Sequence, residues 1–279
     1  MFKFEKKAGL RMSQSKIYTT LQFIFKPFTD RVKLGEGGLV VFNALHSAWA
    51  SKSVLITIKE SILSLLVITV LYGFNDYIDR AADLKNPKKD QSFVKRINTN
   101  SLLFLSLNLA LSLLGLILVY LLLGSDKGLV LLALFLVNVL YSLWLKSFVI
   151  ADILVVIAWG GLYAMLAGKL NWQLAAITGV MTGIAHIYQM TSDKLCDEAN
   201  HVQTSAVRWP AALPASMALL CGITGYLLQT QLAGLWSLSA CLPILFFIFG
   251  KNISLSWHAS RLYFAICWLA LLITTYGSF

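Results

Sequence analysis

Long apolar runs separated by short polar breaks recur along this chain from about residue 37 to its end. Most approach the roughly 20 residues that a helix needs to cross a bilayer. Nine candidate spans can be drawn, at about 37–52, 53–75, 101–123, 128–146, 150–168, 171–190, 210–230, 232–250 and 258–277. The first is the weakest, because it is short and begins in Gly35-Glu36-Gly37-Gly38. The pattern predicts an all-α protein, a multi-pass transmembrane helical bundle. Residues 34–279 would form one membrane domain behind a basic segment, residues 1–33. No strong internal repeat or low-complexity tract interrupts it, and outside the two acidic regions the loops are short.

Composition agrees, with 58% hydrophobic residues and a mean hydropathy of +0.72. The net charge of +10 would point to nucleic acid if its placement were ignored. Loops assigned to alternate sides of a bilayer place nineteen of the 23 Lys and Arg residues on one side. The other side receives only Lys52, Lys127 and Lys169, and Lys59 falls inside a span. The positive-inside rule then puts the N-terminus and both acidic regions in the cytoplasm, and no nucleic-acid partner is expected. Residues 1–33 read as a basic lead against anionic lipid. They do not read as a cleaved signal peptide, because no early apolar core follows the charges. Cys221, Cys241 and Cys267 lie in apolar spans, and no cysteine spacing marks a disulfide or zinc framework.

Only 13 residues are acidic, and five of them fall in two short stretches at the ends of spans. These are Asn75-Asp76-Tyr77-Ile78-Asp79-Arg80-Ala81-Ala82-Asp83 and Asp193-Lys194-Leu195-Cys196-Asp197. On a helix Asn75, Asp79 and Asp83 recur every four residues along one face, as do Asp193 and Asp197. Asp76 lies about 100° round from Asn75, which leaves it either a direct ligand or a supporting group. Carboxylates crowded beside a membrane repel one another and are costly to desolvate, so such clusters are tolerated mainly when a cation offsets them. Hard oxygen donors favour Mg²⁺ over zinc or copper. Mg²⁺ held by few carboxylates keeps positions open for water and phosphate oxygens. The plainer alternative is a pair of solvated acidic helix ends.

Asn75-Asp76-x-x-Asp79-x-x-x-Asp83, followed by Asn86-Pro87-Lys88, resembles the first aspartate-rich motif of the UbiA superfamily of intramembrane prenyltransferases. Asp193-x-x-x-Asp197, followed by Gln203-Thr204-Ser205-Ala206-Val207, resembles the second. Between them Tyr141-Ser142-Leu143-Trp144-Leu145-Lys146, with Asp152 soon after, is similar to the family's tyrosine-lysine signature. Arg31-Val32-Lys33 falls where many members carry an arginine at the entry to the first helix. Three motifs in order carry the resemblance, which covers the chain from Arg31 onward.

The resemblance implies a nine-helix bundle around a central cavity open sideways to the bilayer. In it two Mg²⁺ ions would bridge a prenyl diphosphate to the two motifs. Asn75, Asp79 and Asp83, with Asp76 beside them, would hold one ion, and Asp193 and Asp197 the other. Lys146 would contact diphosphate, with Tyr141 nearby lining the cavity. Ionising the allylic C–O bond leaves charge on diphosphate, which metal and nearby cations stabilise. Excluding water protects the carbocation, and aromatic faces support it. The arginine-rich stretch usual after the first motif is here Lys88-Lys89-Asp90-Gln91-Ser92-Phe93-Val94-Lys95-Arg96. Contact with diphosphate is therefore expected from Lys88, Lys95 or Arg96, with Lys194 a further candidate in the second motif. His201 stands where a glycine is common, and Lys146-Ser147 where a Lys-Arg pair is often seen.

Other polar and aromatic residues in the spans are candidates for the acceptor pocket: His46, Asn138, Trp159, Tyr163 and Gln189, the last one turn before Asp193. Ordinary packing or an interhelical hydrogen bond is the alternative for each. Lys146 likewise reads either as a diphosphate ligand or as a lysine extended to lipid headgroups. Lys59 and Glu60 are adjacent, point apart and are not expected to pair. The expected activity is Mg²⁺-dependent transfer of a prenyl group from its diphosphate to a small, aromatic acceptor. A terpene cyclase on the same scaffold, or phosphoribosyl transfer to a polyprenyl phosphate, are the enzymatic alternatives. A transporter is the non-enzymatic one, and it is weaker because transporter acids tend to sit near the midplane on broken helices.

Overall fold

Within a bilayer each backbone N–H and C=O must find its partner inside the chain, which leaves helices as the natural form of the apolar runs. The computed structural model, which describes residues 17–27, 29, 37–87, 89–232 and 235–277, bears this out. After α1, helical over 17–27, come α2 (Gly37–Ser51), α3 (Val54–Asp83), α4 (Gln91–Thr99), α5 (Ser101–Leu123) and α6 (Ser125–Leu143). Then follow α7 (Ala151–Ala164), α8 (Trp172–Ala199), α9 (Ser205–Arg208), α10 (Leu213–Gln231), α11 (Trp236–Ser239), α12 (Leu242–Phe249) and α13 (Ile253–Tyr276). Short 3₁₀ turns occupy Leu145–Ser147 and Pro210–Ala212, and no strand occurs among the described residues.

Each predicted span falls on helix, but not all are equal. By length and composition α3, α5, α6, α10 with its preceding turn, and α13 are long and apolar enough to cross a membrane. α7 and the α11–α12 segment are shorter. The run at 232–250 is two helices, not one. Proline lacks an N–H and its ring crowds the carbonyl four residues back, so the chain restarts with Pro243 in the first turn of α12. α3 and α8 instead outrun their apolar stretches and carry the acidic residues on continuous helix to Asp83 and Ala199.

The described residues form two compact units, one of 65–115 with 17–27, 29 and Gly37, the other of 38–64 with those from 116 onward. The first has a small aromatic core of Phe23, Phe93 and Phe104, whose rings meet edge to face at 5.0–6.2 Å, with Ile97 beside them. The second is built around α8, which packs on α7, α10 and α13 and buries Ile177, Met181, Ile184 and Tyr188. The α7–α8 seam depends on Gly179 and Gly183. A Cβ on Gly179 would lie 2.5 Å from the Ile157 carbonyl oxygen, and one on Gly183 would lie 2.5 Å from the Ile157 side chain. Small residues four apart let two backbones approach this closely.

This second unit also contains a buried ion pair that the sequence reading did not foresee. Lys127, counted there among the loop lysines, lies in the first turn of α6 and places Nζ 2.5 Å from Glu60 Oε1. Glu60 Oε2 accepts the Gly168 N–H at 2.6 Å. Both charges are nearly enclosed, and such a pair persists only when further hydrogen bonds complete it. The pair holds α3, α6 and the turn before α8 together.

Candidate functional site

In the first unit the end of α3 gathers the first acidic stretch. Asp76 and Asp83 stand seven residues apart, two helical turns, and so share a face. Both are buried, whereas Asn75 and Asp79 are partly exposed. Lys89 Nζ lies 3.2 Å from Asp83 Oδ2 and 3.6 Å from Asp76 Oδ1. Asp76 therefore belongs to the same charge cluster as Asp83.

The connection carrying Lys89 is closed on both sides. Gln91 Nε2 donates to the carbonyls of Asp83 at 3.0 Å and Asn86 at 2.6 Å. Asp90 caps α4 by accepting from the backbone N–H groups of Ser92 at 3.0 Å and Phe93 at 3.2 Å, and it pairs with Lys26 at 3.0 Å. Hydrogen bonds from Ser92, then Lys26, hold the Asp90 carboxyl well below the usual carboxylate range.

Of the cations expected at diphosphate in this unit, Arg96 donates to the Gln22 side chain and lies 5.4 Å over the Tyr18 ring. Lys95 is exposed on α4. Lys88 and Arg31-Val32-Lys33 lie outside the described residues.

In the second unit Asp193 and Asp197 are partly buried on the last turns of α8. Asp197 Oδ2 accepts from the Thr204 hydroxyl at 3.3 Å, and Lys194 pairs with Glu198 one turn on at 3.7 Å. The helix ends in a Schellman motif. Val202 N–H returns to the Asp197 carbonyl at 2.9 Å and His201 N–H to that of Glu198 at 3.1 Å, with His201 left-handed at φ 59°. That explains why a glycine would be natural at His201.

The turn bearing Lys146 is tied to the segment after Asp197. Fully buried Asp152 accepts the Ser205 N–H on Oδ2 at 2.8 Å and the Ser205 hydroxyl on Oδ1 at 2.6 Å. Ser205 Oγ in turn accepts the N–H of Ile150 at 2.8 Å. Ile150 has φ 69°, a strained value for a β-branched residue, which this hydrogen bond helps to hold. Asp152, visible in sequence only as a companion of the Tyr-Lys signature, thus acts as its anchor.

Tyr141 meets His186 edge to face at 6.1 Å. His186 is buried on α8, and its Nε2 has no partner among the described residues. The sequence reading missed His186, although its spacing of three and seven residues from Gln189 and Asp193 places all three on one face of α8.

The acceptor candidates separate. Gln189 is exposed on α8. Trp159 and Tyr163 stack at 5.4 Å, and fully buried Tyr163 donates its hydroxyl to the Ser64 carbonyl at 2.9 Å, a packing role. Asn138 is buried on α6. His46 bonds the Tyr276 hydroxyl at 2.9 Å and abuts Gly168 in the turn before α8. Asp193 lies roughly 30 Å further along that helix, so His46 belongs to the opposite end of the unit.

Among the described residues no three His, Cys, Asp or Glu groups converge tightly enough to hold a metal unaided. The donor chemistry nonetheless fits Mg²⁺, which takes one or two carboxylates and completes its shell with water and phosphate. An ammonium already sits between Asp76 and Asp83, so that pair accepts a cation. Cys196, the soft donor between the second pair of aspartates, is engaged by Asn200 Nδ2 at 3.4 Å. The UbiA prenyltransferase family model matches residues 40–276. No curated protein and no solved structure matches the chain.

Proposed function

Because this chain belongs to the UbiA prenyltransferase family, we propose that it moves a prenyl group from a prenyl diphosphate to a small acceptor within the membrane, with Mg²⁺ as its metal. The observation that carries the metal assignment is the cation-holding carboxylate pair at the end of α3. Asn75, Asp76, Asp79 and Asp83 would hold one ion, and Asp193 and Asp197 the other. Bound Mg²⁺ supplies charge that makes diphosphate a competent leaving group.

The protein's own groups do the rest. The allylic C–O bond breaks with its electron pair going to diphosphate, and the acceptor supplies the pair for the new bond and gives up a proton. Lys146, on a turn anchored by Asp152 and Ser205, is assigned to the departing diphosphate, where its charge gains value as negative charge develops. Lys88, Lys95, Arg96 and Lys194 are the further cations assigned to it. Apolar helix faces keep water from the allylic cation, and the Tyr141 ring supports positive charge. An electron-rich aromatic ring is the acceptor class that best suits such an electrophile.

Asp79→Ala and Asp193→Ala test the reading. Each is expected to cut diphosphate release by more than about 100-fold, beyond what losing a mere supporting partner costs, while the melting profile persists. Chelator should silence the wild type equally. Turnover near normal in both variants, or in chelator, overturns the assignment.

A further inference from the structure

In the Asp76–Lys89–Asp83 arrangement one ammonium faces both carboxylates of the first acidic stretch. Two carboxylates on one helix face, their side chains each 12% exposed, would repel if left alone. Lys89 Nζ, 3.2 Å from one and 3.6 Å from the other, removes one unit of that charge. It is placed there by construction. Gln91 closes the chain back on Asp83 and Asn86, and Asp90 starts α4 three residues before the first buried residue of that helix, Phe93, which with Val94 fixes it to the core.

We propose that Lys89 is a built-in counter-ion that competes with Mg²⁺ for Asp76 and Asp83, so that metal binds this stretch well only when diphosphate arrives to receive the displaced ammonium. The proposal rests on the reading of the stretch as a metal site. With Lys89 in place the pair offers a divalent ion a net charge near −1, and with Lys89 gone, near −2. A diphosphate supplies the ammonium with another anionic partner, which removes the penalty for leaving. Metal and diphosphate then strengthen each other's binding by the same factor, because coupling between two ligands is reciprocal. The device keeps the acids neutralised between turnovers and commits metal only alongside substrate.

The experiment uses the full chain, purified in detergent, with Asp193→Ala and Asp197→Ala in the background so that only the first stretch is read. Mn²⁺ serves as the metal, its free concentration followed by electron paramagnetic resonance, and radiolabelled inorganic pyrophosphate serves as the anion. Relative to its parent, Lys89→Met should bind Mn²⁺ alone about tenfold more tightly, as loss of one opposing unit charge a few Å away requires. The same variant should bind pyrophosphate at saturating Mn²⁺ about tenfold more weakly. Lys89→Arg, which keeps the charge, should follow the parent in both. Opposite signs for the two ligands cannot come from partial unfolding, which weakens both. Unchanged or weaker Mn²⁺ binding by Lys89→Met, with the parent still binding, overturns the proposal and leaves the metal reading intact. Failure of both proteins to bind Mn²⁺, with or without pyrophosphate, removes the metal reading itself.

Discussion

Lys146 is where two fates of one lysine part most sharply. Its turn leads into the segment that the Asp152–Ser205 bonds hold. If it meets the departing diphosphate, Lys146→Met should lower kcat more than it weakens substrate binding. Losing one contact to a charged group in a partly dry site is worth about 2–4 kcal/mol, or about 30- to 1000-fold in rate. Diphosphate release at saturating substrate and Mg²⁺ measures it. A lysine that only extends to headgroups would leave turnover within about threefold. The residue types of this neighbourhood were legible from the Tyr-Lys signature. The role of Asp152 was not, because its partner Ser205 lies 53 residues away and no local spacing announces it. His186 was hidden for another reason. A buried histidine on a helix carries no motif, and only the face it shares with Gln189 and Asp193 marks it.

Among the elements, the α7–α8 seam is the one most sensitive to a single methyl group. Gly179→Ala would push Cβ to 2.5 Å from a backbone oxygen that cannot rotate away. It should lower stability by about 1–3 kcal/mol in a detergent melt. Gly222→Ala, on α10 with open space around it, is the matched control and should be neutral or stabilising by up to about 1 kcal/mol. Equal melting of the two variants would contradict the seam. The helices themselves were readable because bilayer thickness imposes length on apolar runs. Where the reading slipped, a specific residue explains it. Pro243 splits one predicted span.

At the scale of the whole chain, the skewed distribution of Lys and Arg leads us to propose that the N-terminus and both acidic helix ends face the cytoplasm. Single cysteines at exposed Ser92, Ala199 and Ser125, in a background without the native cysteines, provide the check. In intact cells an impermeant thiol reagent should reach Ser125→Cys and spare the other two. Labelling of Ser92→Cys or Ala199→Cys from outside would reverse the orientation.

α8 is the most enclosed helix of its unit, yet it is absent from the helices apolar enough to cross a membrane alone, and its neighbour α7 has only 14 residues. The consequence falls on biosynthesis. The Asp and Lys residues at the end of α8 weigh against inserting that helix by itself. The glycine seam makes them a single hairpin, able to enter together with the polar face of α8 turned inward.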